Sequence, residues 1–294
     1  MLTLLSLALT LLASPGATLE DAPSILVVTA HPDDEAMFAA TMWKAVREHG
    51  ATVDLALVTD GAGGYRFSTL AEPIYGLNLT DPDVARTVLP KIRKQELMAG
   101  GDVVGIRNYF FLDQPDAGRI LDVDSVFTEL WDGDWVTTRL TEIMADGGYD
   151  MVLTFLPIPT THAHHKGASI LAVRAASALP EHERPVLVGS LIGSDSDDIE
   201  FRGLEGYPET VLSDDGPFTL DREQKLGLDG RLNYQIVVNW LITEHKSQGT
   251  MQTYLNAGRY ERFWMYAANS PEQRARGAAM LTGFDLQTAG QTTH

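Results

Sequence analysis

The chain has 294 residues, 44% hydrophobic and 21% charged, a globular composition with enough apolar mass for one large core or two modest ones. Its 22 Lys and Arg against 40 Asp and Glu leave a formal charge of −18, which argues against nucleic acid and anionic headgroups as partners. There is no cysteine, so disulfides and thiolate ligands are excluded and any metal must rest on imidazole and carboxylate.

Met1 to Leu19 carry no charged side chain, and Leu2 to Ala13 form an almost continuous apolar run ended by Pro15-Gly16. At about 1.5 Å per residue that run reaches about 18 Å as a helix, short of the roughly 30 Å bilayer core. The pattern predicts a signal peptide over residues 1–17 and a secreted or periplasmic protein, although no Lys or Arg precedes the apolar run. A retained membrane anchor and an ordinary N-terminal segment are the alternatives.

Ile25 to Ala30 is a β-branched apolar run, the mark of a strand buried on both faces of a parallel sheet. Glu35 to His49 places Met37, Phe38, Met42 and Val46 at helical spacing before Gly50, and Val53 to Val58 is a second strand. The resulting β-α-β unit implies a right-handed crossover. Asp60 to Asp83 has no clear period and reads as a long functional loop. A helix over Val84 to Gly100, a strand over Asn108 to Leu112 and a helix over Ser125 to Ala145 follow. Met151 to Leu156 is another buried strand, then a helix from His165 to Ala178 and a strand from Val186 to Leu191. Two helical segments, Asp221 to Glu244 and Pro271 to Leu281, close the chain. The pattern is one α/β domain over 22–294, a Rossmann-like, mostly parallel sheet with helices on both faces (core 24–195), plus a C-terminal helical appendage (220–294). The pairs Trp131 with Trp135 and Tyr234 with Trp240 read as core packing.

Ligands in such a sheet bind at the carboxyl edge of the strands. Two polar clusters fall there: His31-Pro-Asp33-Asp34-Glu35 after the first strand, and His162-Ala-His164-His165 after the strand ending at Leu156. A hydrolytic zinc site needs three protein ligands, an open position for water and a nearby base that does not ligate. Pro32 stiffens the first turn, so that His31 and Asp34 can converge while Asp33 points elsewhere. His162 and His165, three apart at a helix start, share a face. Taken singly, each cluster has a bland reading: a helix cap with dipole-compensating acids, and a set of loop histidines. Together, on two loops at one sheet edge, they point to a metal site.

Thr29-Ala-His-Pro-Asp-Asp-Glu35 resembles the signature of the LmbE/PIG-L family of zinc-dependent N-deacetylases, and His162-Ala-His-His165 resembles its later His-x-x-His block. Arg93-Lys-Gln-Glu96 and His245-Lys-Ser-Gln248 are similar to two further blocks, in family order. The resemblance implies His31, Asp34 and His165 as metal ligands, Asp33 as general base, and His162 as the protonated partner of the oxyanion or the leaving amine. It implies Zn2+, with Fe2+ as a substitute, and hydrolysis of the acetamide of an N-acetylamino sugar or related glycoconjugate. Thr160 stands where some members carry a Tyr that helps bind the tetrahedral oxygen. His164 stands where Asp is common, and reads as a tolerated change, not an extra ligand.

Arg66, with Tyr65, Phe67, Tyr75 and Asn78 on the long loop, suits a sugar ring, and Arg66 and Arg93 suit an anionic substituent. An ion pair of Arg93 with Glu96 is the structural alternative. Thr160 and His245 complete the expected substrate contacts. Asp60-Gly-Ala-Gly-Gly64 lacks the spacing and the Lys of a nucleotide loop. The expected partner is a small-molecule or oligosaccharide amide, with no nucleic acid and no membrane span kept after processing. The competing readings are an amidase acting on another sugar-linked amide and a non-catalytic, metal-stabilised sugar-binding protein.

Overall fold

The computed structural model describes residues 22–195 and 199–288. The expected leader over 1–17 lies outside them. In chain order the elements are β1 (Ser24–Thr29), α1 (Ala39–His49), β2 (Thr52–Thr59), α2 (Glu72–Tyr75), α3 (Pro82–Val104) and β3 (Ile106–Gln114). Then come α4 (Val123–Ser125), α5 (Gly133–Gly147), β4 (Met151–Phe155), α6 (Ala163–Ala178) and β5 (Val186–Gly193). The remainder is β6 (Phe218–Asp221), β7 (Lys225–Gly227), β8 (Leu232–Asn233), α7 (Tyr234–Glu244), β9 (Tyr260–Met265), α8 (Pro271–Gly283) and β10 (Gln287–Thr288).

The main sheet runs β10-β6-β9-β5-β4-β1-β2-β3, with β1 to β5 all parallel. The apolar runs of β1 and β4 follow from this burial. Ile25 and Val27 face α1, α3 and α7, whereas Leu26 and Val28 face α5 and α6. Each such side chain, once fully buried, contributes about 1.5–3 kcal/mol. The chain runs outward from β1 through β2 to β3, then returns to β4 on the other side of β1. Strand order therefore reverses between β1 and β4, and the crevice above that pair is where doubly wound sheets bind ligands. Both polar clusters open from those two strands.

The mostly parallel sheet with flanking helices is as the sequence predicts, and the C-terminal helices are present. Strands β6, β9 and β10 are an addition: they extend the sheet antiparallel beyond β5, so the C-terminal part is welded to the core. The predicted helix from Asp221 begins only at Tyr234. Leu228, Asp229 and Gly230 have positive φ, which a right-handed helix cannot contain. The predicted helix from Ser125 is broken at Asp132, whose carboxylate accepts from the Trp135 N–H and starts α5 afresh. Trp131 and Tyr234 are buried, but Trp135 and Trp240 are exposed and not core. No helix among the described residues is long and apolar enough to cross a membrane.

Candidate active site

Three donors converge above β1 and β4. His31 Nδ1 lies 3.1 Å from His165 Nε2, His165 Nε2 lies 3.0 Å from Asp34 Oδ1, and His31 Nδ1 lies 3.6 Å from Asp34 Oδ2. Adjacent ligands of a tetrahedral site with metal–nitrogen bonds of about 2.0–2.1 Å sit about 3.3 Å apart. Two imidazoles and one carboxylate at these separations fit a divalent cation of the zinc class. Asp34 and His165 are each aimed by their surroundings. Asp34 Oδ2 accepts from the N–H groups of Ala30 and His31 at 3.0 and 2.7 Å, fixing the carboxylate at the strand end. His165 Nδ1 meets Thr161 Oγ1 at 3.1 Å, which leaves Nε2 facing the cluster.

The electrostatics agree. Burial would raise Asp34, but the adjacent His165 and His31 outweigh it and hold its carboxyl well below the usual range. Burial would lower His31, yet Asp34 and the further carboxylates of Asp116 and Asp33 push it up to about 9. A field that binds a proton this firmly favours a metal cation at the same point. Asp33 lines the same cavity, and its carboxylate carries no hydrogen bond among the described residues. Burial and the neighbouring Asp34 push it up to about 6.

His162 also lines the cavity, but both its nitrogens are engaged. Nδ1 accepts from the His164 N–H at 3.1 Å, capping α6, and Nε2 lies 2.8 Å from the Gly118 carbonyl oxygen. Burial, with His31 and His165 beside it, pushes His162 down to about 4. The expectation of a protonated His162 is therefore corrected to a neutral imidazole: with Nδ1 accepting, the proton falls on Nε2 toward the nearer Gly118 carbonyl, although the Ile120 N–H also lies 3.3 Å from that nitrogen.

The cavity measures about 600 Å³ and is lined by the cluster together with Thr160, Arg93, Arg119, Asp116, Gln248 and a wall of apolar side chains. Thr160 stands where a substrate contact is expected. Arg66 does not: it is exposed and outside the lining. Phe67 reaches the cavity, whereas Tyr65 and Tyr75 pack on the small core of Ala71, Leu79 and Leu89. Arg93 is buried and donates to the carbonyls of Gly61 and Gly63, so it fixes the glycine loop and makes no ion pair with Glu96. Glu96 instead accepts from Ser247 N–H and Oγ–H at 2.8 and 2.6 Å.

His245 is corrected as well. It is fully buried and pairs with Glu35, and so cannot touch substrate. Burial would lower its pKa, but the Glu35 carboxylate outweighs that and raises it. Along the same segment, Gln248 Nε2 donates to the Pro32 carbonyl at 2.7 Å. The C-terminal block thus buttresses the His31–Asp34 loop from behind. His245→Ala leaves the Glu35 carboxylate buried without a partner and is expected to cost about 3–5 kcal/mol. Urea unfolding measures it; a substrate contact would instead raise KM with stability unchanged.

Sequence reasoning missed Asp116, Arg119, Arg222 and Glu261. Asp116 and Arg119 follow β3, so the strand-edge rule points to their loop. Glu261 on β9 accepts from the N–H groups of Ala40 and Thr41, both at 2.9 Å, and pairs with buried Arg222, clamping the start of α1. Nothing local in the sequence marks that clamp.

Comparison with known proteins gives the same picture. Two curated relatives, each named a probable N-acetyl-alpha-D-glucosaminyl L-malate deacetylase 2, come from Bacillus cereus and Bacillus subtilis. They are 29% identical over 163 residues and 27% identical over 162. Each match covers 55% of this chain and 65% or 64% of the relative, just under two thirds of the relatives' own length. The N,N'-diacetylchitobiose deacetylase of Pyrococcus horikoshii shares the fold, with a TM-score of 0.54 and 17% identity over 85% of each chain. So does the A40926 pseudoaglycone deacetylase, with a TM-score of 0.52 and 18% identity over 85% of this chain and 99% of that one. The family model described as PIG-L, GlcNAc-PI de-N-acetylase, matches residues 26–176, a span that holds both the His31–Asp34 loop and the His162–His165 block. With just over half of its length matched, this chain belongs to the PIG-L family.

Proposed function

We propose that the protein is a divalent-metal-dependent deacetylase that hydrolyses the acetamide of an N-acetylamino sugar or a related glycoconjugate. The observation that carries this reading is the convergence of His31, Asp34 and His165 in one cavity beside the Asp33 carboxylate, which has no hydrogen bond among the described residues. The names of the two Bacillus relatives, N-acetyl-alpha-D-glucosaminyl L-malate deacetylases, and of the N,N'-diacetylchitobiose deacetylase support the substrate class.

His31, Asp34 and His165 would hold the metal, with zinc favoured by the nitrogen-rich donor set and Fe2+ compatible with it. A divalent cation there supplies Lewis-acid polarisation of the amide carbonyl and a lowered pKa for water. Asp33 takes the proton of the attacking water, and its pKa near 6 keeps it ionised at neutral pH yet basic enough to act. Having gained that proton, Asp33 returns it to the amide nitrogen, so that a neutral amine and acetic acid form; the acid then gives its proton to the amine or to solvent and leaves as acetate. His162 donates Nε2–H to the carbonyl oxygen as negative charge builds, exchanging its bond to Gly118 for one to substrate. Catalytic hydrogen bonds commonly form only in the bound complex. The uncharged apolar segment from Leu2 to Ala13 supports export from the cytoplasm.

The test is acetate release from N-acetylglucosamine derivatives, before and after chelation and after zinc is restored. The reading predicts turnover that falls to background with chelator and returns with zinc. Binding of the sugar without turnover would favour a metal-stabilised sugar-binding protein instead.

A further inference from the structure

His164 lies between two residues that face the cavity, yet it is itself completely buried. Its ring stacks on Trp131, with centroids 5.1 Å apart and planes 29° from parallel. Its Nδ1 lies 3.1 Å from Nε2 of His31. The nearer carboxylate oxygen of Asp116 is 3.6 Å from the same Nδ1, beyond hydrogen-bond range. The remaining nitrogen, His164 Nε2, has no partner among the described residues.

These contacts constrain the proton on His31. Its Nδ1 faces the metal cluster, and a neutral imidazole carries one proton. For Nδ1 to offer a lone pair, that proton must sit on Nε2, and the acceptor it meets there is His164 Nδ1. The opposite arrangement, with His164 donating to His31, would put a hydrogen on the ligating nitrogen. Ligating histidines ordinarily pass their second N–H to a carboxylate, a carbonyl or water. Here an imidazole takes that place, held by the Trp131 stack and by α6, whose first turn is capped onto His162.

We propose that His164 is a positioning residue: its Nδ1 accepts the Nε2–H of His31 and so locks His31 in the tautomer that presents Nδ1 to the metal. The inference rests on the metal-site reading above. A competing arrangement has the imidazoles of His31, His162 and His164 themselves holding a second ion, since their nitrogens lie within 4.8 Å of one another.

Zinc affinity and stoichiometry decide, measured by competition with a chromogenic chelator on the full chain and on two variants. His164→Asn places an amide oxygen where Nδ1 stands and keeps the acceptor. His164→Leu removes it. The expected result is one zinc per chain in all three proteins, with affinity about 10–100-fold weaker in the Leu variant and largely restored in the Asn variant. If the Leu variant does not fold, His164→Phe keeps the stack on Trp131 without the acceptor and takes its place. Equal affinity in parent and Leu variant overturns the proposal, as does an Asn variant as weak as Leu. Two zinc ions in the parent and one in the variants would make His164 a ligand, and also overturns it. A parent that binds no zinc sinks the metal reading itself, a failure distinct from any difference among variants.

Discussion

Asp33→Ala is expected to lower acetate release by about 10²–10⁴-fold, the range for loss of a positioned general base. Zinc content should be unchanged, because Asp33 is outside the three-donor cluster of His31, Asp34 and His165. The expectation follows from an asymmetry between neighbouring carboxylates. Asp34 is tied by two backbone N–H groups and two imidazoles and is held ionised at any ordinary pH. The side chain of Asp33, one residue earlier, has no hydrogen bond among the described residues, lines the cavity and is pushed up to about 6. Two carboxylates in sequence thus have opposite environments, and only one can exchange a proton near neutrality. Parallel measurement of kcat and bound zinc checks this; normal turnover in the variant would remove Asp33 as the base.

His165→Ala is expected to abolish both zinc binding and turnover. It deletes one of three donors, and the loss in affinity should exceed the roughly 10–100-fold typical of residues that only support a ligand. His165 is a cleaner choice than Asp34. Truncating Asp34 would also strand the N–H groups of Ala30 and His31, at about 1–3 kcal/mol for a buried group left unsatisfied. Metal analysis after dialysis against a weak chelator reads the result, and full zinc occupancy in His165→Ala would strike it from the ligand set.

The parallel half of the fold was legible because its signals are local. The runs in β1, β2, β4 and β5 are apolar on both faces, and a strand of that kind has one home, the middle of a parallel sheet. Both polar clusters follow such strands, so the edge rule alone put them in one crevice. The C-terminal half was not legible, for a physical reason seen in β9. Its sequence Tyr-Glu-Arg-Phe-Trp-Met carries two charges, which argues against a buried strand. Glu261 is tolerated there only because Arg222 and the N-terminus of α1 neutralise it, partners that lie 39 and about 220 residues away. His245 was misjudged for a similar reason. Its motif order is visible in the sequence, but that it faces Glu35 and not the cavity depends on how α7 packs over the first loop. His162 could be placed on the cavity wall from spacing, while its protonation follows from burial among other imidazoles, which no motif records.

The proposed metal site requires two loops 131 residues apart to grip one ion. Anomalous diffraction from zinc-loaded crystals tests this most directly. A single strong peak within bonding distance of His31 Nδ1, an oxygen of Asp34 and His165 Nε2, with Asp33 outside its coordination, is the predicted result. A peak seated elsewhere, or the absence of any peak at those three residues in protein shown to contain zinc, would contradict it.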